Sequence, residues 1–258
     1  MDAFLTEGPV ADCLPEQLPA DGRAEGRVRR GARAWFVFYV FWLAGWAGLS
    51  LLLLGRDQAG DGRALSGWLL CLMCFYLSLC NSFIPLPTAW IVLLAASPDF
   101  VLLRLAWLHA GLVSGLAALA TVVANLTEYH LMVYLLGWGL GRRARRAAAY
   151  TWAVRHFDRA PFQLLTLVAF VPIPVDAVRW LAILRGYCRV RFGLAYLLGR
   201  GVRYLFLTAG CLWLGLQARE IVLVQLGIIA LAVAARLVWR LRPARAARPS
   251  PALFRSVG

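Results

Sequence analysis

Between Arg63 and Asp99 the chain runs for 35 residues without a charged side chain, and in the middle of that run stands Phe83-Ile84-Pro85-Leu86-Pro87. Two prolines in PxP spacing remove two amide donors and push the residues before them away from helix. The run must break there. Backbone groups freed inside a bilayer are tolerated only where protein or a wet cavity surrounds them. A charge-free segment of this kind constrains the chain to a membrane, with an interrupted helix enclosed by other helices.

Composition agrees. The chain is 61% hydrophobic and 16% charged, against about 45–50% and about 25% for soluble domains. Its formal net charge is +14, and every basic residue is Arg. These Arg residues cluster beside the apolar runs, a pattern that orients membrane helices rather than one that binds nucleic acid. Six Cys are present, and Cys71-Leu72-Met73-Cys74 has CxxC spacing. No second CxxC or His pair accompanies it, so these cysteines read as small buried hydrophobes, with no metal and no cofactor expected.

The remaining spans follow from uncharged length. Residues 34–55 are 22 uncharged residues, enough to cross. They follow five Arg within the first 33 residues, a segment with six acids and no apolar core that does not read as a cleavable signal peptide. Residues 105–127 form a further span within one helix expected from about Leu102 to Gly139, with Gly111 and Gly115 spaced for close helix packing. The Arg142–Arg146 cluster comes next and is expected to meet anionic headgroups. Residues 161–171 are apolar but too short to cross, and Pro172-Ile173-Pro174 ends them. Residues 192–216 are long enough to span yet contain Arg200 and Arg203, and residues 221–239 make the last span.

The positive-inside rule then gives four crossings at about 34–54, 102–126, 192–216 and 221–239, with both termini cytoplasmic. Both PxP segments must enter and leave on one side, although residues 64–82 are long enough to cross alone. The expected organisation is a disordered segment 1–33, a membrane domain 34–241 and a disordered Arg-rich tail 242–258.

Phe83-Ile84-Pro85-Leu86-Pro87 and Phe170-Val171-Pro172-Ile173-Pro174 match as F-[IV]-P-[LI]-P, 87 residues apart. One crossing separates them, so they dip from opposite sides. The fold class expected is therefore an all-α integral membrane protein with about four transmembrane helices and two opposed re-entrant hairpins in an inverted repeat. Such pairs point to a transport site near the midplane.

Residues 81–97 (NSFIPLPTAWIVLLAAS), residues 170–186 (FVPIPVDAVRWLAILRG) and the following Leu198-Gly199-Arg200-Gly201-Val202-Arg203-Tyr204 resemble the DedA family. That family is the bacterial branch of proteins carrying the VTT (SNARE-associated Golgi protein) domain. The resemblance covers roughly residues 64–216. It implies two opposed re-entrant loops and a part in moving or scrambling lipids, including phospholipids and polyprenyl-phosphate carriers, at the bacterial inner membrane. Many members carry an acid just after the first PxP, where this chain has Thr88 and Ala89, and an Arg before the second, where it has Ala169. Proton coupling does not carry over at those positions.

Charged residues inside a membrane cost roughly 2.5–3.5 kcal/mol each on insertion scales and mark function by default. Five qualify. Asp176 and Arg179 are one turn apart on the helix after Pro174, within pairing reach. Arg200 and Arg203 are expected roughly 12–17 Å into their helix, where planar guanidiniums suit phosphate oxygens. Glu128 reads as an interfacial residue beside Tyr129 and His130, or as a partner for one of these Arg. With Pro85, Pro87, Pro172 and Pro174 they form the expected substrate or gating set. His109, His130 and His156 are too scattered for a metal site, and the 11 Trp read as interface anchors.

The function expected is transport or scrambling (flippase or scramblase activity) of an anionic lipid or lipid carrier in membrane or envelope homeostasis, without catalysis. A membrane-embedded lipid-modifying enzyme lacks a recognisable nucleophile or metal set here. A non-transporting scaffold is the other alternative, and self-association is left open.

Overall fold

The computed structural model describes residues 22–57, 62–82, 87–103, 105–135, 157, 159–171 and 176–241. All regular structure among them is helical. In chain order the helices are α1 Gly22–Asp57, α2 Gly62–Ser82, α3 Ala89–Ala96, α4 Ala106–Leu135, α5 Pro161–Phe170, α6 Asp176–Leu184, α7 Arg189–Leu214 and α8 Ala218–Leu241, with a 3-10 turn at Pro98–Phe100.

Three stretches are long and apolar enough to cross a bilayer: Gly31–Gly55 in α1, Ala64–Asn81 in α2, and α4. Helix α7 and the Ala218–Leu231 part of α8 pass only as a pair, with a 120° turn between them. The total is three, or four with the bent pair as one span. The expected set of crossings is thus corrected in membership. Helix α2 qualifies alone, because its 21 residues reach about 31 Å at 1.5 Å per residue. Residues 192–216 and 221–239 do not qualify separately, and α7 carries Arg200 and Arg203 in its middle. Two boundaries also move. Residues 22–33, expected to be disordered, are the opening turns of α1. The long helix starts at Ala106 instead of Leu102, after the 3-10 turn.

The turn after α7 is built by Gly215, whose φ of 61° suits glycine. Its amide donates to Leu212 O at 3.2 Å, and the Leu216 amide donates to Cys211 O at 3.1 Å, closing the last carbonyls of the helix. Acidic side chains then cap α8. The Ala218 amide donates to Asp99 Oδ2 at 2.7 Å and the Gln217 amide to Glu220 Oε2 at 3.1 Å. The Asp99 bond ties the start of α8 to the 3-10 turn before α4, so both lie at one end of the bundle.

Helix α4 is the central post. On one side a core of Met73, Cys74, Leu77, Ile91, Val92 and Val113 joins α2, α3 and α4. On the other, Leu165, Ala169, Ala182, Phe192 and Tyr196 bring α5, α6 and α7 together with Val122 and Tyr129 of α4. Cys71 and Cys74 are both buried in α2. Aromatic polar atoms fasten α1 to α4 and to α2. Trp35 Nε1 donates to Thr127 Oγ1 at 3.0 Å, Tyr39 OH to Ser78 O at 2.8 Å, and Trp42 Nε1 to Ser78 Oγ at 2.9 Å. These two Trp, expected as interface anchors, are donors between helices instead.

Helices α5 and α6 hold ten and nine residues, about 15 and 14 Å of rise, half the thickness of a hydrocarbon core. Their outer ends come back together: the Phe157 ring before α5 lies 6.0 Å from the Tyr187 ring after α6. The inner end of α5 meets α7, with Phe170 edge-on to Phe206 at 6.2 Å. The first proline segment is built differently. Its arms are the 21-residue α2 and the 8-residue α3, so two near-identical proline motifs join arms of unequal length.

Helix α5 approaches α7 so closely that only glycine fits between them. A Cβ on Gly199 would sit 2.3 Å from Thr166 O and 2.7 Å from Ala169 Cβ. By contrast, a Cβ on Gly111 or Gly115 would have nothing within 4 Å. The expected packing role of the latter pair is corrected: their face of α4 is open.

Candidate functional site

The site lies where α6 crosses α4. Arg179 Nη1 donates to Glu128 Oε2 at 2.8 Å and to Asn125 Oδ1 at 2.8 Å. Trp180 Nε1 points to Glu128 Oε1 at 3.4 Å. Asn125 and Glu128 stand one turn apart on α4, so a single face presents both to α6. The Arg179 and Glu128 side chains are only 13% and 11% exposed. Of the two readings of Glu128, interfacial residue or partner for an Arg, the structure favours the second: it is a buried partner of Arg179. Removing two charges from water costs several kcal/mol per ion, and only close geometry with further hydrogen bonds offsets it. Asn125 and Trp180 supply such bonds.

Asp176 opens α6, but its side chain, like Pro85, Pro172 and Pro174, lies outside the described residues. The expected Asp176–Arg179 pair lies outside them as well; the pairing described for Arg179 runs across to α4. Pro87 is described, and it is exposed. Its carbonyl, which the break in the helix leaves without an internal donor, accepts from Tyr76 OH at 3.1 Å, and Trp90 Nε1 points to the same hydroxyl at 3.3 Å.

Arg200 and Arg203 are half-buried on α7. Arg200 recurs at helical spacing with Gly193 and Tyr204. A Cβ on Gly193 would lie 3.6 Å from Leu126 Cδ1, and Tyr204 OH is 3.1 Å from Thr121 Oγ1. Arg200 thus springs from the face of α7 that lies against α4, and its Nε is buried with no hydrogen-bond partner. Glu128 is the one buried carboxylate among the described residues, so Arg179, Arg200 and Arg203 leave this part of the bundle electropositive.

Of the histidines, His156 lies outside the described residues, and His109 and His130 have other partners. His109 is buried with Nε2 2.9 Å from Ala95 O, which assigns the proton to Nε2. His130 stacks on Trp35 at 5.1 Å. Among the described residues no group of three metal-ligating side chains comes together.

Sequence reasoning missed Asn125, Thr121 and Trp180. The available signal was the stripe Thr121, Asn125 and Glu128 at helical spacing within an apolar span, where each polar group needs a partner. Comparison with family models, curated proteins and solved structures gives no match.

Proposed function

We propose that this protein moves or scrambles an anionic lipid or lipid carrier, such as a phospholipid or a polyprenyl phosphate, across a bacterial cytoplasmic membrane. The observation that carries the reading is the Arg-rich interior between α4, α6 and α7, with the Arg200 Nε buried and unpartnered. Guanidiniums at that depth cost insertion energy unless they serve a pathway, and their fork suits phosphate and carboxylate oxygens. Support comes also from α5 and α6, whose length and adjoining outer ends fit a segment that enters and leaves on one side. In this reading the α2–α3 segment enters from the opposite side, and the Arg-rich termini are cytoplasmic.

The test is reconstitution of the purified full chain into phosphatidylcholine and phosphatidylglycerol vesicles carrying a headgroup-labelled lipid, with quenching by an impermeant reductant. Wild type should expose inner-leaflet label faster than empty vesicles, and Arg203→Ala should slow this severalfold. Equal rates for empty, wild-type and Arg203→Ala vesicles across neutral and anionic headgroups would overturn the proposal.

A further inference from the structure

Asn125 is 1% exposed, in the centre of the site. Its two amide atoms have different fates. Oδ1 accepts from Arg179 Nη1 at 2.8 Å, which fixes the orientation of the amide. Nδ2 is buried with no partner. Arg200 Nε, on the α7 face against α4, is buried without a partner as well. Nearly all buried donors in proteins find a partner, and each exception calls for an explanation. Asn125 Nδ2 and Arg200 Nε are both donors, so whatever completes them must bring acceptors. Beside an electropositive interior, that occupant is an oxyanion.

We infer that Asn125 contacts the ligand directly, and that Asn125 Nδ2 and Arg200 Nε form a donor pair for a phosphate-like oxyanion presented between α4 and α7. The inference rests on the transport reading for its anionic ligand and adds the residue that recognises it. The Asn125 amide thereby has two tasks: one oxygen positions Arg179, and one nitrogen reads the ligand. A carboxylate at this position would do the first and fail the second.

That asymmetry supplies the test. Full-length protein in maltoside micelles is titrated with dodecyl phosphate, or with inorganic phosphate, and the thermal midpoint is followed, since a ligand that binds the folded state raises it. Wild type should be stabilised by dodecyl phosphate. Asn125→Asp should retain its ligand-free midpoint, because an acceptor for Arg179 remains, yet need at least about tenfold more dodecyl phosphate for the same shift. Arg200→Leu removes a side chain whose Nε has no protein partner and should weaken the response similarly, which covers the case in which Asn125→Asp does not fold. A response to inorganic phosphate too would mark a free oxyanion as sufficient; a response to dodecyl phosphate alone would mark a lipid-borne one. Both outcomes support the donor pair. Undiminished responses in Asn125→Asp or Arg200→Leu would overturn the inference while leaving anionic-lipid transport standing. No response by wild type to either probe would overturn both.

Discussion

Substituting Gly199 by Ala sets two effects of known size against each other. In an open helix interior the change is favourable by about 1 kcal/mol. Here the new Cβ would lie 2.3 Å from Thr166 O, 2.7 Å from Ala169 Cβ and 3.1 Å from Phe170 N. Ordinary contact begins near 3.4 Å, so α5 must retreat by about 1 Å, set by backbone atoms that cannot swing aside. Forcing extra methyl groups into close packing costs about 1–3 kcal/mol, and a backbone obstruction belongs in the upper part of that range. The net expectation is a loss of about 1–2 kcal/mol. For a chain of this size that lowers the thermal midpoint by about 2–8 °C, measurable by intrinsic fluorescence on purified protein in micelles. Gly111→Ala and Gly115→Ala meet nothing within 4 Å and should leave the midpoint unchanged or raise it. A Gly199→Ala protein as stable as Gly111→Ala would refute the close approach of α5 to α7.

Two further outcomes test the interior polar groups. Glu128→Leu strands the Arg179 guanidinium and should cost about 3–5 kcal/mol, whereas Glu128→Leu with Arg179→Met should recover much of that loss; a double-mutant cycle on thermal midpoints that shows no coupling would contradict the pairing. Tyr204→Phe deletes the hydroxyl that meets Thr121 Oγ1 at 3.1 Å and should cost about 0.6 kcal/mol, a typical value for hydrogen bonds between membrane helices. Combining it with Thr121→Val should add little, and full additivity would mean that the two hydroxyls do not share a bond.

Membrane character was legible because it needs only uncharged length, and the 35 residues between Arg63 and Asp99 provide it. The prolines told where helices stop but not how far their arms extend, which is why α2 emerged as a full-length helix while α5 did not. Spacing identified Gly111 and Gly115 as sharing a face, but what lies opposite a face is a tertiary fact, and there it is open space. Gly199 carried no comparable signal, since its neighbour is the backbone of a helix thirty or so positions earlier in the chain. At the candidate site, Arg179 was found from its cost in a membrane. Glu128 was open between an interfacial place and a pairing with an Arg, because two residues on separate helices meet only after packing. Asn125 is neutral and single, and carries no charge whose cost would mark it within a membrane helix.

An Arg-lined interior open to a lipid headgroup requires α5 and α6 to form an element that does not cross the membrane. Arg159 and Arg185 flank it and are both exposed. In a background with the native cysteines replaced, Arg159→Cys and Arg185→Cys can be probed with an impermeant maleimide on sealed vesicles of each orientation. Both should label from the same face. Labelling from opposite faces would make this segment a crossing helix pair and would contradict the proposed re-entrant placement of α5 and α6.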